Sequence, residues 1–294
     1  MIRDKRVQFD FDIAFSNGGG LKGRAFRLDI DGDDIDDAAL ADYVVRDLRL
    51  LMVGEMRISN KSIIHEAHKR TSTPAGARFV DLSHTIEHGM ITYKGLPAPL
   101  ICDHLSREKS KTVYAPGTEF QIGRIDMVAN TGTYIDSPFH RYADGADVAD
   151  FDLDAITLVD AIVVRAAGAS GRAISHDAFE GLDVRGKAVL VNTGWDRHWR
   201  SDQYFEGHPF LTADAAAKLR DGGARLVGID SFNIDDTADL TRAVHTTLLG
   251  AGIPIVEHLC RLGDVPTSGF RFSAVPPRVR GIGTFPVRAF AFRG

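Results

Sequence analysis

The sequence predicts an α/β fold, with mixed sheets and packed helices behind a small N-terminal α/β unit. Three observations point there. After residue 79, short apolar runs rich in β-branched residues recur, and helical patterns lie between several of them. Before residue 73, a separate stretch carries its own alternating and helical patterns. Between the two, Thr71-Ser72-Thr73-Pro74-Ala75-Gly76 is short, polar and broken by Pro and Gly, as a linker is. The expected units are residues 1–73 and 77–294, the first of unassigned role.

Each element has its own signal. Residues 7–13 alternate apolar and polar side chains, which suits a half-buried strand. Asn17-Gly18-Gly19-Gly20 makes a turn, and residues 25–30 alternate again, giving a hairpin. The acidic stretch 33–37 starts a helix that carries Leu40, Val44, Leu48, Leu51 and Met52 at helical spacing. A short strand near Met56, Arg57 and Ile58 closes this unit. Beyond the linker, strands are expected at 79–82, 161–165, Ala188–Asn192, 226–230 and 253–257. A helix over 212–221 has Thr212 as its cap and Gly222-Gly223 behind it. The tail alternates at 270–274 and 287–292. Strand order is not legible from these runs.

Composition narrows the classes. The 294 residues are 44% hydrophobic and 26% charged, enough apolar material for a substantial core. A net charge of −5 without a basic stripe gives no electrostatic footprint for nucleic acid. No apolar run approaches the ~18 residues of a membrane span, and the opening lacks the apolar segment of a secretory signal. Two cysteines, Cys102 and Cys260, make no disulfide framework and read as small buried hydrophobes. A cytoplasmic protein that meets a small molecule is the expectation.

Two segments carry chemistry. In the first, Asn130-Thr131-Gly132-Thr133-Tyr134-Ile135-Asp136-Ser137-Pro138-Phe139-His140, Gly132 permits a sharp turn and Pro138 opens a short helix. Asp136 and His140 then lie about one turn apart. A carboxylate and an imidazole so placed suit metal ligation or proton sharing; taken alone, they read first as a helix cap and a surface residue. In the second, His245 opens a helix-like stretch, glycines turn the chain, and 253–257 returns as a strand. That path brings Glu257 back towards His245. Gly18–Gly20 with Lys22, the pair His65 and His68, the aromatics Trp195, His198 and Trp199, and the loop acids Asp230, Asp235 and Asp236 are weaker candidates. Plain turn, helix-end, packing and capping roles suit them as well.

Together and in order, the two segments resemble the cyclase family of metal-dependent hydrolases, which includes the kynurenine formamidases. The first resembles the family signature H-x-G-T-H-x-D-x-P-x-H, and the second its later His and Glu. Asn192-Thr193-Gly194-Trp195, Leu211 to Ala216, Gly228 to Ser231 and Pro286 to Ala289 are similar as well, so the likeness runs from about Phe79 to the C-terminus. The resemblance implies a swivelling β/β/α-like domain and hydrolysis of small amides, such as the N-formylkynurenine of tryptophan catabolism or the cyclic amide isatin. It also implies a homo-oligomer, a dimer or larger. In the family, two His and the Asp hold one metal, the later His and Glu help to hold a second, and the last His of the signature moves protons. Here Asn130 and Tyr134 stand in the places of the two His. The expectation is therefore one divalent metal, zinc or manganese with magnesium as a competitor, held by Asp136, His245 and Glu257. His140, with Asp136, would be catalytic, and Asn130 and Tyr134 would be substitutes at the altered position. A small-molecule binder without hydrolysis, and a lyase or cyclising enzyme on the same scaffold, are the rival readings.

Overall fold

A computed structural model describes residues 5–30, 34–48, 50, 52–65, 78–168 and 171–294. They fall into two compact units, Met1–Ser72 and Thr73–Gly294. The proposed linker at 71–76, Glu66 to His68 of the weaker His pair, Leu51 and part of the acidic stretch 33–37 lie outside the described residues.

The first unit is a three-stranded antiparallel sheet, with Lys5–Phe15 between Gly20–Asp29 and Val53–His65. Val7, Phe9, Phe11 and Ile13 point to one face, as the alternation requires, and pack with Leu40 and Val44 of the helix Asp37–Asp47. Asp36 caps that helix by accepting from the Ala39 N–H. The helix stops short of the apolar spacing read from the sequence: Leu48 is its C-cap, and Met52 is left-handed and 56% exposed. The strand expected around 56–58 is 13 residues long.

The second unit is built on a nine-stranded sheet. Its middle is parallel: Val159–Arg165, Ala188–Asn192, Leu226–Ile229 and Ile255–Glu257 run side by side in that order. These strands read as continuous apolar runs because both faces are covered. Along Ala188–Asn192, Ala188 and Leu190 face one cluster, while Val189 and Val191 face the other. The second cluster includes Ala215, Leu219, Val244 and Leu248, from the helices Ala213–Gly222 and Ala243–Gly250. Antiparallel strands flank this middle. Phe270–Ser273, Phe290–Phe292 and Phe79–Asp81 continue one side, and Tyr134–Asp136 and Thr284–Pro286 the other.

Four details correct the sequence reading. Tyr134–Asp136 is a strand, so Asp136 is no helix cap; Ser137 opens the short turn of helix Pro138–His140. Thr212 occupies the N-cap position, but its hydroxyl bonds Ile174 O and Asp214 instead of the helix N–H groups. Leu100–Leu105 and Ile122–Asp126 pair as an unanticipated hairpin. Cys102 lies on it and is exposed, whereas Cys260 is buried.

Candidate active site

Three neighbouring strands bring the polar residues together. In the ladder, Asp136 lies opposite Ile255 on one side and Thr284 on the other, while Tyr134 lies opposite Glu257. Gly132 makes the approach feasible. Its φ is +68°, and a Cβ there would sit 2.8 Å from Ile86 Cγ1. The strand then delivers Asp136 into the sheet with no exposed surface.

Asp136 Oδ1 accepts from the Thr284 hydroxyl, whereas Oδ2 is buried and has no hydrogen-bond partner. His245 Nε2 lies 3.6 Å from that orphaned oxygen. The imidazole is aimed by its other nitrogen, because Nδ1 lies 2.5 Å from Asp235 Oδ2. Asp235 also accepts from the Val244 and His245 N–H groups, so one carboxylate caps the helix and orients its histidine. Of the weaker loop acids, this one alone serves the site directly. Asp236 faces Arg172 at 4.0 Å. Asp230 is a buried acceptor for Asn192 Nδ2 and the Thr193 and Gly194 N–H groups; burial pushes its carboxyl up to about 6 against those donors.

Glu257 Oε1 lies 4.0 Å from His245 Nε2. It accepts from the Ile234 N–H at 2.6 Å, and Oε2 accepts from the Tyr134 hydroxyl at 2.6 Å. Tyr134 therefore addresses Glu257 from within the core, while Asn130 lines the cleft. Burial pushes Glu257 up to about 7 despite the nearby His245. Burial alone would hold His245 neutral, but the carboxylates of Asp136, Asp235 and Glu257 raise it to about 10.

His140 sits at the mouth, its side chain 35% exposed, with Nδ1 2.9 Å from Thr284 Oγ1 and 3.8 Å from Asp136 Oδ1. Thr284 has one proton, which goes to Asp136. Its oxygen can therefore only accept from His140, which puts a proton on Nδ1 and leaves Nε2 as the basic nitrogen. Asp136, His140 and His245 offer ligand atoms within 4.8 Å of one another.

The cleft over these groups encloses about 240 Å³ and is also lined by Tyr93, Leu96, Asn233, Arg141 and Arg242. None of these five, nor Thr284, was singled out in the sequence, because a lone Thr, Arg or Asn between turns carries no periodicity. Trp199 stacks on His84 with ring centroids 3.9 Å apart, and the Trp195 indole donates to Tyr204 O; both indoles are half-buried and neither lines the cleft.

One glycine sets the position of His140. A Cβ on Gly283 would fall 2.3 Å from His140 N and 2.4 Å from its Cα. Gly283→Ala must push the turn Pro138–His140 away from the sheet. The expected cost is about 1–3 kcal/mol of stability, with turnover reduced as well. Thermal melts and steady-state rates check it; wild-type values for both would mean that the turn yields freely.

The chain matches the Cyclase family over residues 80–236, more than half of its length and including Asp136 and His140. It is 28% identical to a kynurenine formamidase of Bacillus cereus over 72% of this chain and 96% of that protein. It is 33% identical to a kynurenine formamidase of Geobacillus thermodenitrificans over 57% of this chain and 78% of that one. Among solved structures, one described as a potential metal-dependent hydrolase with cyclase activity superposes with a TM-score of 0.60. That protein is 29% identical, and the match covers 74% of this chain and 98% of its own.

Proposed function

The chain belongs to the cyclase family, and from that premise we propose that it hydrolyses the carbon–nitrogen bond of a small amide or formamide with the help of one divalent cation. The observation that carries this reading is the orphaned Asp136 Oδ2. A buried carboxylate oxygen without a donor is costly, and a cation beside it removes the cost. His245 Nε2, held by Asp235 and facing that oxygen, and Glu257 Oε1 complete a set that fits an ion. Two oxygens and one nitrogen make a hard donor set, on which manganese and magnesium compete with zinc. When bound, such an ion polarises a carbonyl and lowers the pKa of water.

The remaining work belongs to side chains on the page. His140 Nε2 takes the proton of the attacking water and returns it to the departing nitrogen. Thr284 keeps the imidazole turned for that exchange and ties it to Asp136. Water adds across the amide, so a formamide yields formate and the amine.

A second reading, a small-molecule binder without hydrolysis, is favoured by one observation. The Tyr134 hydroxyl and the Ile234 N–H already occupy both oxygens of Glu257. Elemental analysis of the purified chain and of Glu257→Ala, with formate release measured in parallel, separates the two. The hydrolase binds one ion per chain and loses both ion and turnover in the variant. No ion and no formate, with a small molecule still retained, would leave the binder.

A further inference from the structure

We propose that a groove away from the cleft, between the helical turn Leu153–Ile156 and the segment 275–278, is an effector site. Its ligand is a small apolar carboxylate, and its occupancy bears on His140. The groove encloses about 390 Å³, against about 240 Å³ for the cleft. Phe151, Leu153, Ile156, Val275 and Pro276 give it apolar walls, and Arg278 stands in its lining. Ile156 is buried, but Leu153 is 62% exposed and Val275 40% exposed, so the rim leaves apolar surface in water.

Arg278 gives the groove its chemistry. Its Nε donates to Ala149 O at 3.0 Å, which braces the guanidinium against the wall. Among the described residues, its terminal nitrogens have no partner. Asp150, the acid in the lining, is already held by both terminal nitrogens of Arg280, at 3.0 and 3.3 Å. The unmatched charge in the groove is therefore positive. A planar fork with free N–H groups matches a carboxylate, and the walls match an apolar body. That complementarity selects the apolar anion over a neutral or cationic occupant.

The coupling lies in the chain itself. Ala274 N–H donates to Ile156 O at 2.9 Å and ties down the start of the segment. Its far end is tied by Gly281 N–H, which donates to Asp147 at 2.7 Å, and by Val148 N–H, which donates to Ile282 O at 3.1 Å. Val275, Pro276 and Arg278 sit between those ties. Directly after them, Gly283 presses on the backbone of His140, and Thr284 bonds both His140 Nδ1 and Asp136. A ligand that joins Val275 and Arg278 to Leu153 favours one arrangement of this segment and hence one placing of Thr284. Occupancy thereby sets how His140 presents Nε2. The plainer alternative is a solvated groove beside an idle arginine.

The test uses the full-length chain and needs no turnover. Calorimetry compares octanoate with octan-1-ol, which has the same chain length and no carboxylate. Imidazole ¹H–¹⁵N spectra follow His140, assigned by the peak lost in His140→Ala. Both measurements are repeated on Arg278→Gln and on Val275→Glu, each at an exposed position, with circular dichroism to confirm folding. Octanoate should bind once per chain, about tenfold more tightly than octanol, and should shift the His140 resonance. Each variant should weaken octanoate by about tenfold or more, and the shift should be lost with the binding. No saturable binding, equal affinity for octanol, or unchanged affinity in either folded variant overturns the site. Binding that leaves the His140 resonance in place overturns it as an effector site. So does a groove closed by a second copy, seen as a dimer that Val275→Glu dissociates and octanoate does not enter. The hydrolase reading stands or falls separately, on formate release.

Discussion

Asp136→Asn should strip the purified chain of its cation and reduce amide hydrolysis on the order of a thousandfold or more. Asparagine keeps an oxygen for the Thr284 hydroxyl but removes the negative charge facing His245. The same variant should melt below the wild type when both are metal-free. Without the ion, the Asp136 carboxylate faces a protonated His245 at 3.6 Å, and the neutral amide gives up that buried charge pairing. Elemental analysis, steady-state rates and calorimetric melting in chelator check the three parts. A stoichiometric ion still held by Asp136→Asn would remove this carboxylate from the ligand set.

His140→Ala should behave differently. Turnover should fall by about 10²–10⁴, the usual worth of a positioned acid/base, while one ion per chain is retained. The imidazole is partly exposed at the cleft mouth, and its Nδ1 is committed to Thr284, which leaves only Nε2 to exchange protons. Ion content measured beside rate is the decisive comparison. His140 also offers a ligand atom within 4.8 Å of those of Asp136 and His245. If His140→Ala loses the ion, then His140 is a ligand and Glu257, with both oxygens already bonded, is the residue outside the ligand set.

Much of this arrangement is legible in the sequence, for identifiable reasons. Ala188–Asn192 and Leu226–Ile229 announce themselves because strands covered on both faces need unbroken apolar side chains. Asp136, His140, His245 and Glu257 are found because charged groups amid glycines and apolar runs stand out, and because their order fits a known family pattern. Tyr134–Asp136 is missed as a strand since it is three residues long and begins beside turn residues. Thr284–Pro286 ends in proline, a residue that argues against strand, and so hides Thr284. The hairpin of Leu100–Leu105 and Ile122–Asp126 exposes nearly every side chain, so it has no inside and outside to alternate between. Asp235 reads as a cap and is one, but its second bond, to His245, depends on a helix angle that no spacing rule encodes.

The ladder that seats Tyr134–Asp136 between two later strands also governs when the site comes into being. Tyr134 and Glu257 are 123 residues apart along the chain, and Asp136 and Thr284 are 148 apart. Closing loops of that length precedes every contact between the Tyr134–Asp136 strand and its two later neighbours, so these pairs belong to the slow, late part of folding. A molten or half-assembled chain has the carboxylates and imidazoles but not their meeting place. A cation that binds the finished arrangement cannot template it; it acts on the lifetime of the native state, slowing the exit from the fold and leaving the entry rate alone.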